Sequence, residues 1–235
     1  MTTSRVLIVG GSSGMGPALA DLMLADGAEV TVAGRSRDRL AAAADRLGGV
    51  ETYQGDVTEG DQVRRMAAAA GKLDHVVVTA ADVTGAYAPL ADLDLATAQA
   101  IVASKVLGPW LVAKHCTVSP GGSITFTSGI AAYRPAAGGS LVAMVNSALE
   151  GLVRALALEL APVRVNAISP GWVDTPIWDT VAGDAKTERL AAMAARLPVG
   201  RIGQPADIAK AFGSVIHNGF ITGTVVHADG GHRLV

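Results

Sequence analysis

One cysteine, Cys116, stands among 235 residues. No internal disulfide can form, which fits a reducing compartment. Aromatic residues make up 4% and charged residues 17%, and 19 Lys and Arg nearly balance 21 Asp and Glu to leave a net charge of -2. Such a chain has no basic field to draw in a nucleic acid or an anionic membrane surface, so any anion must be bound locally. No window reaches the roughly 18 uninterrupted apolar residues that a bilayer crossing needs. The longest apolar stretches are broken by Lys105, Asn146, Glu150 or Arg154. His75, His115, His217, His227 and His232 show no metal-ligand spacing, and no metal is expected. Met1 to Arg5 runs straight into Val6-Leu7-Ile8-Val9 without the basic region, long apolar stretch and cleavage site of a secretory signal. A cytoplasmic location is the expectation.

Half of the residues are hydrophobic, which excludes a disordered chain. Short β-branched runs alternate with longer Ala- and Leu-rich stretches of helical period. Strands are expected at Arg5 to Val9, Glu29 to Ala33, Val50 to Gln54, His75 to Ala80, Gly122 to Thr127, Val163 to Ile168 and Thr224 to His227. Helices are expected at Met15 to Ala25, Arg37 to Leu47, Gln62 to Ala70, Leu95 to Cys116, Leu141 to Leu160 and Pro205 to Ile216. Consecutive apolar positions such as Val76-Val77-Val78 point to strands covered on both faces. The expected fold is therefore α/β: one Rossmann-like domain over residues 1–235, a doubly wound parallel sheet in a three-layer α/β/α sandwich. The longest stretch without a strand, Ser169 to Pro205, carries an amphipathic helix near Ala185 to Leu197, and residues 176–200 are a candidate substrate lid.

After the first strand comes Gly10-Gly11-Ser12-Ser13-Gly14-Met15-Gly16. Gly10 permits a tight turn, Gly14 lets backbone approach a pyrophosphate, and Gly16 lets helix and strand pack closely, while the N–H groups at the helix start face the anion. The bland alternative is an ordinary tight turn. The second strand ends in Ala33-Gly34-Arg35-Ser36, without the acidic residue that would hold the ribose of NAD. A cation just before a helix start is unfavourable unless an anion joins it, and a 2′-phosphate would be that anion. The expected cofactor is NADP(H), held in part by Arg35 and Ser36. Asp56-Val57, past the third strand, is placed either to accept from an adenine amino group or to cap a helix.

Together these residues resemble the short-chain dehydrogenase/reductase family from Arg5 to Gly231. Arg164-Val165-Asn166 followed by Pro170-Gly171-Trp172-Val173-Asp174-Thr175 is similar to the family's strand and Pro-Gly segment. The resemblance implies that Thr175 meets the nicotinamide carboxamide, with Pro170, Gly171 and Val173 beside it. It also places Ala80-Ala81 where the family has a close backbone approach to the cofactor. The family's catalytic set is Asn, Ser, Tyr and Lys, and here the pattern departs. Aligned on Gly151 to Leu156, the tyrosine position holds Val142 and the lysine position Asn146. Valine has no proton to give, and asparagine has no charge with which to lower a phenol pKa.

Ser128 matches the family's serine, and the asparagine position holds Lys105. Ile101, Val102, Gly108 and Pro109 put Lys105 on an apolar helix face, and Pro109 lacks the N–H that would bond the Lys105 carbonyl. Lys105 either supplies cationic charge to the site, with Asn146 and Ser128 as hydrogen-bond partners, or lies at a subunit interface or reaches solvent. Tyr133 is the one tyrosine close enough in sequence to replace the missing acid, or else shapes the pocket. Asp82 is placed to pair with Lys105 or touch substrate. Two functions stay open: an NADPH-dependent oxidoreductase acting on a small carbonyl, imine or activated alkene, and an inactive NADP(H)-binding sensor. Helices Leu95 to Cys116 and Leu141 to Leu160 are apolar beyond one buried stripe, implying a homodimer or homotetramer.

Overall fold

The computed structural model describes residues 3–235; Met1 and Thr2, at the start of the segment read for a leader, lie outside the described residues. Among the described residues seven strands pair in parallel: β1 (Arg5–Val9), β2 (Glu29–Gly34), β3 (Glu51–Gln54), β4 (Lys72–Val78), β5 (Thr117–Thr127), β6 (Arg164–Pro170) and β7 (Val225–Ala228). Their order is β3-β2-β1-β4-β5-β6-β7. The order reverses between β1 and β4, and it is outside the carboxyl ends of strands at such a switch point that α/β sheets open a crevice.

The helices are α1 (Gly16–Ala25), α2 (Arg37–Arg46), α3 (Gly60–Ala70), α4 (Leu95–Val102), α5 (Gly108–His115), α6 (Ser140–Glu159), α7 (Ile177–Val181), α8 (Lys186–Arg196) and α9 (Pro205–His217). Ser36 caps α2 through the Arg39 N–H, and Asp94 caps α4 through the Thr97 N–H. Gln204 and Asp207 form a capping box on α9.

The sheet separates two cores. Val6 and Ile8 of β1 face Leu19, Met23, Leu40, Ile208 and Phe212 of α1, α2 and α9. Leu7 and Val9 face Val63, Met66, Val112, Leu149 and Val153 of α3, α5 and α6. Val76 and Val78 likewise face one layer and Val77 the other. By length and hydropathy alone, Leu95–His115 and Ser140–Glu159 could span a bilayer. Their apolar character has a packing cause: Val112, Leu149, Val153 and Leu156 belong to the core.

Several boundaries differ from expectation by one to five residues, and three of the differences have a local cause. Strand β5 pairs from Thr117, five residues before Gly122, across an irregularity at Leu73/His75. Strand β4 ends at Val78 instead of Ala80, because Thr79 and Ala80 both donate their N–H to Val9 O and turn the chain over the end of β1. The helix expected over Leu95 to Cys116 is interrupted by a π-turn, Ala103–Leu107, just before Pro109. A proline lacks the N–H for regular pairing, and a π-turn is one way for a helix to absorb that.

Candidate functional site

A cleft of about 840 Å³ opens at the carboxyl ends of the strands. One end is formed by the first turn. Gly10 has φ +95°, and a Cβ there would fall on the backbone nitrogen of Ala80. Gly16 does not line the cleft; a Cβ there would fall on the Gly10 carbonyl, so this glycine seats α1 against the turn. Gly14, at φ +62°, has nothing within 4 Å of the place its Cβ would take, and with Ser12, Ser13 and Met15 it lines the cleft. Helix α1 begins without a side-chain cap or an acidic residue in its first turn. In its first turn Pro17 has no N–H, while Gly16 and Leu19 donate to Ser13 O and Met15 O, so the Ala18 N–H and the positive dipole end make the cradle for an anion beside an open glycine.

Arg35, Ser36, Asp56, Val57, Ala80 and Ala81 line the same cleft, with Pro170, Gly171, Val173 and Thr175 farther along. Two of these do more locally than the sequence indicated. Asp56 Oδ1 accepts from both the N–H and the hydroxyl of Thr58, closing a local turn and not capping α3, whose N-cap is Glu59, while the residue still lines the cleft. Arg35 is not an unpaired cation: its guanidinium donates to Asp82 Oδ2 at 3.0 Å. The Asp82 carboxyl is held below the usual range by the hydrogen bonds of Thr84 and then by Arg35. Asp82 therefore does not pair with Lys105, and its main-chain N–H donates to Ser104 Oγ instead. Arg39, which the sequence reading passed over, lines the cleft near Arg35.

The other end gathers Lys105, Ser128, Val142 and Asn146. The π-turn carries Lys105 inward, where it is 7% exposed. Its Nζ donates to Thr127 O at 2.7 Å and lies 3.4 Å from Ser128 O. These are main-chain carbonyls, so the expected bonds to the Ser128 and Asn146 side chains are not made. The reason is register: the end of β5 presents its carbonyls toward the turn, whereas the Ser128 hydroxyl points to α6. Among the described residues no carboxylate lies within 4 Å of Lys105 Nζ. Burial pushes its pKa down from 10.5 to about 8. Asn146 is 3% exposed, and its Oδ1 is buried without a partner among the described residues.

Ser128 Oγ donates to Glu150 Oε1 at 2.8 Å, and the Tyr133 hydroxyl donates to Glu150 Oε2 at 2.6 Å. Tyr133 does not line the cleft. Burial and then the Glu150 carboxylate push its pKa up to about 12, and its ring meets His227 edge to face. The structure thus removes Tyr133 from the reacting end as a proton donor. Glu150 was missed because it reads as a charge interrupting an apolar helix. Its spacing of four from Asn146 puts it on the same side of α6 one turn on, where it meets Ser128 and Tyr133 without itself lining the cleft.

The remaining wall comes from residues 176–181, where Ile177, Trp178 and Val181 line the cleft; α8 does not. Trp178 stacks on Trp172 with ring centroids 4.3 Å apart, and Lys186 bridges Asp174 and Asp179 at 3.1 and 3.0 Å.

The family model described as enoyl-(acyl carrier protein) reductase matches residues 9–233. The short-chain dehydrogenase/reductase malC of Malbranchea aurantiaca is 35% identical, covering 98% of this chain and 94% of its own. The chain belongs to the short-chain dehydrogenase/reductase family. Cis-4-hydroxycyclohexanecarboxylate dehydrogenase of Sinomonas cyclohexanicum, a further relative, is 32% identical over 98% of this chain and 97% of its own. Among solved structures, the MalC reductase/Diels-Alderase from Malbranchea aurantiaca superposes with a TM-score of 0.93, at 33% identity over 99% of this chain and 97% of that one. A small-chain dehydrogenase in complex with NADPH, 33% identical, gives 0.85 with full coverage of both chains. The parallel seven-stranded fold is thus the family's.

Proposed function

We propose that the chain is an NADP(H)-dependent oxidoreductase whose substrate is a small, largely apolar molecule with a carbonyl, imine or activated alkene. The observation that carries this reading is Lys105, a buried ammonium without a carboxylate partner among the described residues, lining a cleft that elsewhere fits a dinucleotide. When bound, the nicotinamide supplies or accepts the hydride. The chain's own residues do the rest. The open Gly14 turn and the uncapped start of α1 receive the pyrophosphate, and Arg35 with Arg39 receives the 2′-phosphate after exchange with Asp82. Thr175 orients the carboxamide, as the family resemblance implies. Lys105 stabilises negative charge developing on substrate at the far end, where low polarity strengthens its field. Val142, Ile177, Trp178 and Val181 exclude water there. The NADPH complex of a similar protein and the reductase and dehydrogenase names of the relatives support the same reading.

Calorimetric titration of NADPH and NADH into the wild type and Arg35→Ala tests the cofactor site. NADPH should bind more tightly, and the variant should lose about 1–3 kcal/mol for NADPH and little for NADH. Equal affinities in the wild type would remove the 2′-phosphate assignment; no binding of either would remove the oxidoreductase. The second reading, an inactive NADP(H) sensor, is favoured by one observation: Val142 offers no proton and Tyr133 is turned away. Deuterium transfer from 4-labelled NADPH to a product separates the two.

The proposal includes a second copy of the chain. Leu107 just before α5 and Trp110 within it, with Met144 and Leu158 on α6, leave these helices with exposed apolar side chains. Light scattering at micromolar concentration should give a dimer or tetramer.

A further inference from the structure

A serine hydroxyl has one proton and two lone pairs, whereas a carboxylate only accepts. Glu150 is 6% exposed and takes a hydroxyl proton on each oxygen, from Ser128 at 2.8 Å and Tyr133 at 2.6 Å. With its proton committed to Glu150, Ser128 has only acceptor capacity left for the cleft. The Asn146 carbonyl, 3.4 Å from Ser128 Oγ, is a far weaker claimant to that proton. Lys105 is the converse. Two of its three ammonium hydrogens are directed to Thr127 O and Ser128 O, leaving one donor for a ligand. The reacting end therefore offers an acceptor on the Ser128 side chain and a cationic donor close to the same residue's carbonyl.

We propose that Glu150 is a positioning residue that holds Ser128 as a hydrogen-bond acceptor, so that the cleft selects ligands carrying an O–H or N–H donor beside an acceptor. The matching chemistry is a lactam or other cis-amide, an enol next to a carbonyl, or a hydroxycarbonyl. An isolated ketone satisfies Lys105 but leaves Ser128 facing an acceptor without a proton between them. The inference rests on the oxidoreductase reading of this cleft and narrows its substrate class.

The test uses a matched pair of probes on enzyme saturated with NADP+. The lactam 3,4-dihydroquinolin-2-one has the N–H; its N-methyl derivative has the same carbonyl and no donor. By ligand-observed NMR titration, the wild type should bind the first at least about tenfold more tightly, the scale of one hydrogen bond in a buried site. Ser128→Ala and Glu150→Leu should bring that ratio to within about threefold, with NADP+ affinity unchanged, whereas Tyr133→Phe should keep it, because Glu150 still takes the Ser128 proton. If Glu150→Leu does not fold, the Ser128→Ala ratio decides. A wild-type ratio near one, no binding of the lactam at millimolar concentration, or a preference that survives in Ser128→Ala overturns the proposal. Failure of NADP+ to bind at all would instead overturn the reading on which it rests.

Discussion

Lys105→Met is expected to lower kcat by about 10²- to 10³-fold, the usual loss when one preorganised charge at a reacting centre is removed, while NADPH affinity stays within a factor of about two. Methionine retains the length and apolar stem, so packing beneath the cleft is preserved, while the charge and its hydrogen bonds to Thr127 O and Ser128 O are lost. The pH profile separates this from a structural effect. With its pKa lowered by burial to about 8, Lys105 loses its charge as the pH rises through that value, and kcat/KM of the wild type should fall on an alkaline limb there. Stability should move the other way. The unfolded chain holds this proton up to about 10.4, so between about 8 and 10.4 it binds more protons than the folded one, and the contribution of Lys105 to unfolding free energy rises with pH. At neutral pH the folded protein carries the cost of a buried charge, and Lys105→Met should melt higher than the wild type. A variant with wild-type turnover and an unchanged alkaline limb would remove Lys105 from the mechanism.

Gly10→Ala is expected to abolish measurable NADPH binding and to destabilise the fold by about 3 kcal/mol or more. The added carbon would fall on the Ala80 backbone nitrogen and within 2.6 Å of Thr79 Oγ1, at a φ of +95° that side chains rarely adopt. Both neighbours are main-chain or fixed by Val9 O, so the end of β4 has to move away from β1. Gly14→Ala is the contrast. It meets nothing within 4 Å, so it should fold with a loss of about 1–2 kcal/mol from its left-handed φ, yet bind NADPH more weakly because the methyl group occupies the anion's approach. Circular dichroism melting together with calorimetry distinguishes the two, and equal melting temperatures would refute the assigned contact at Gly10.

The alternation of Val6, Leu7, Ile8 and Val9 between two cores, and of Val76, Val77 and Val78, was legible because a sheet covered on both faces requires apolar residues at consecutive positions. The glycine turn was legible for the same local reason: turn, open face and close packing each demand the absence of a side chain at one position. Lys105 could be placed on an apolar helix face from its neighbours at three and four residues. Its partners could not, since they are carbonyls at the end of β5, 22 and 23 residues away. The π-turn was implicit in Pro109, but the length of the irregularity depends on how α4 and α5 both find the sheet. Glu150 was hidden by its own type, because a glutamate in an apolar helix reads as a solvent-facing break until Ser128 and Tyr133 arrive from another segment. Arg35 and Asp82, 47 residues apart, meet only because β1 lies between β2 and β4.

That last pair bears on how the protein responds to ionic strength. Salt ordinarily weakens the hold of an arginine on a phosphate by screening the attraction. Here the same salt also screens the exposed Arg35–Asp82 contact that a phosphate has to displace. The two effects oppose each other, so the Asp82 carboxylate acts as an internal competing anion that flattens the salt dependence of nucleotide binding.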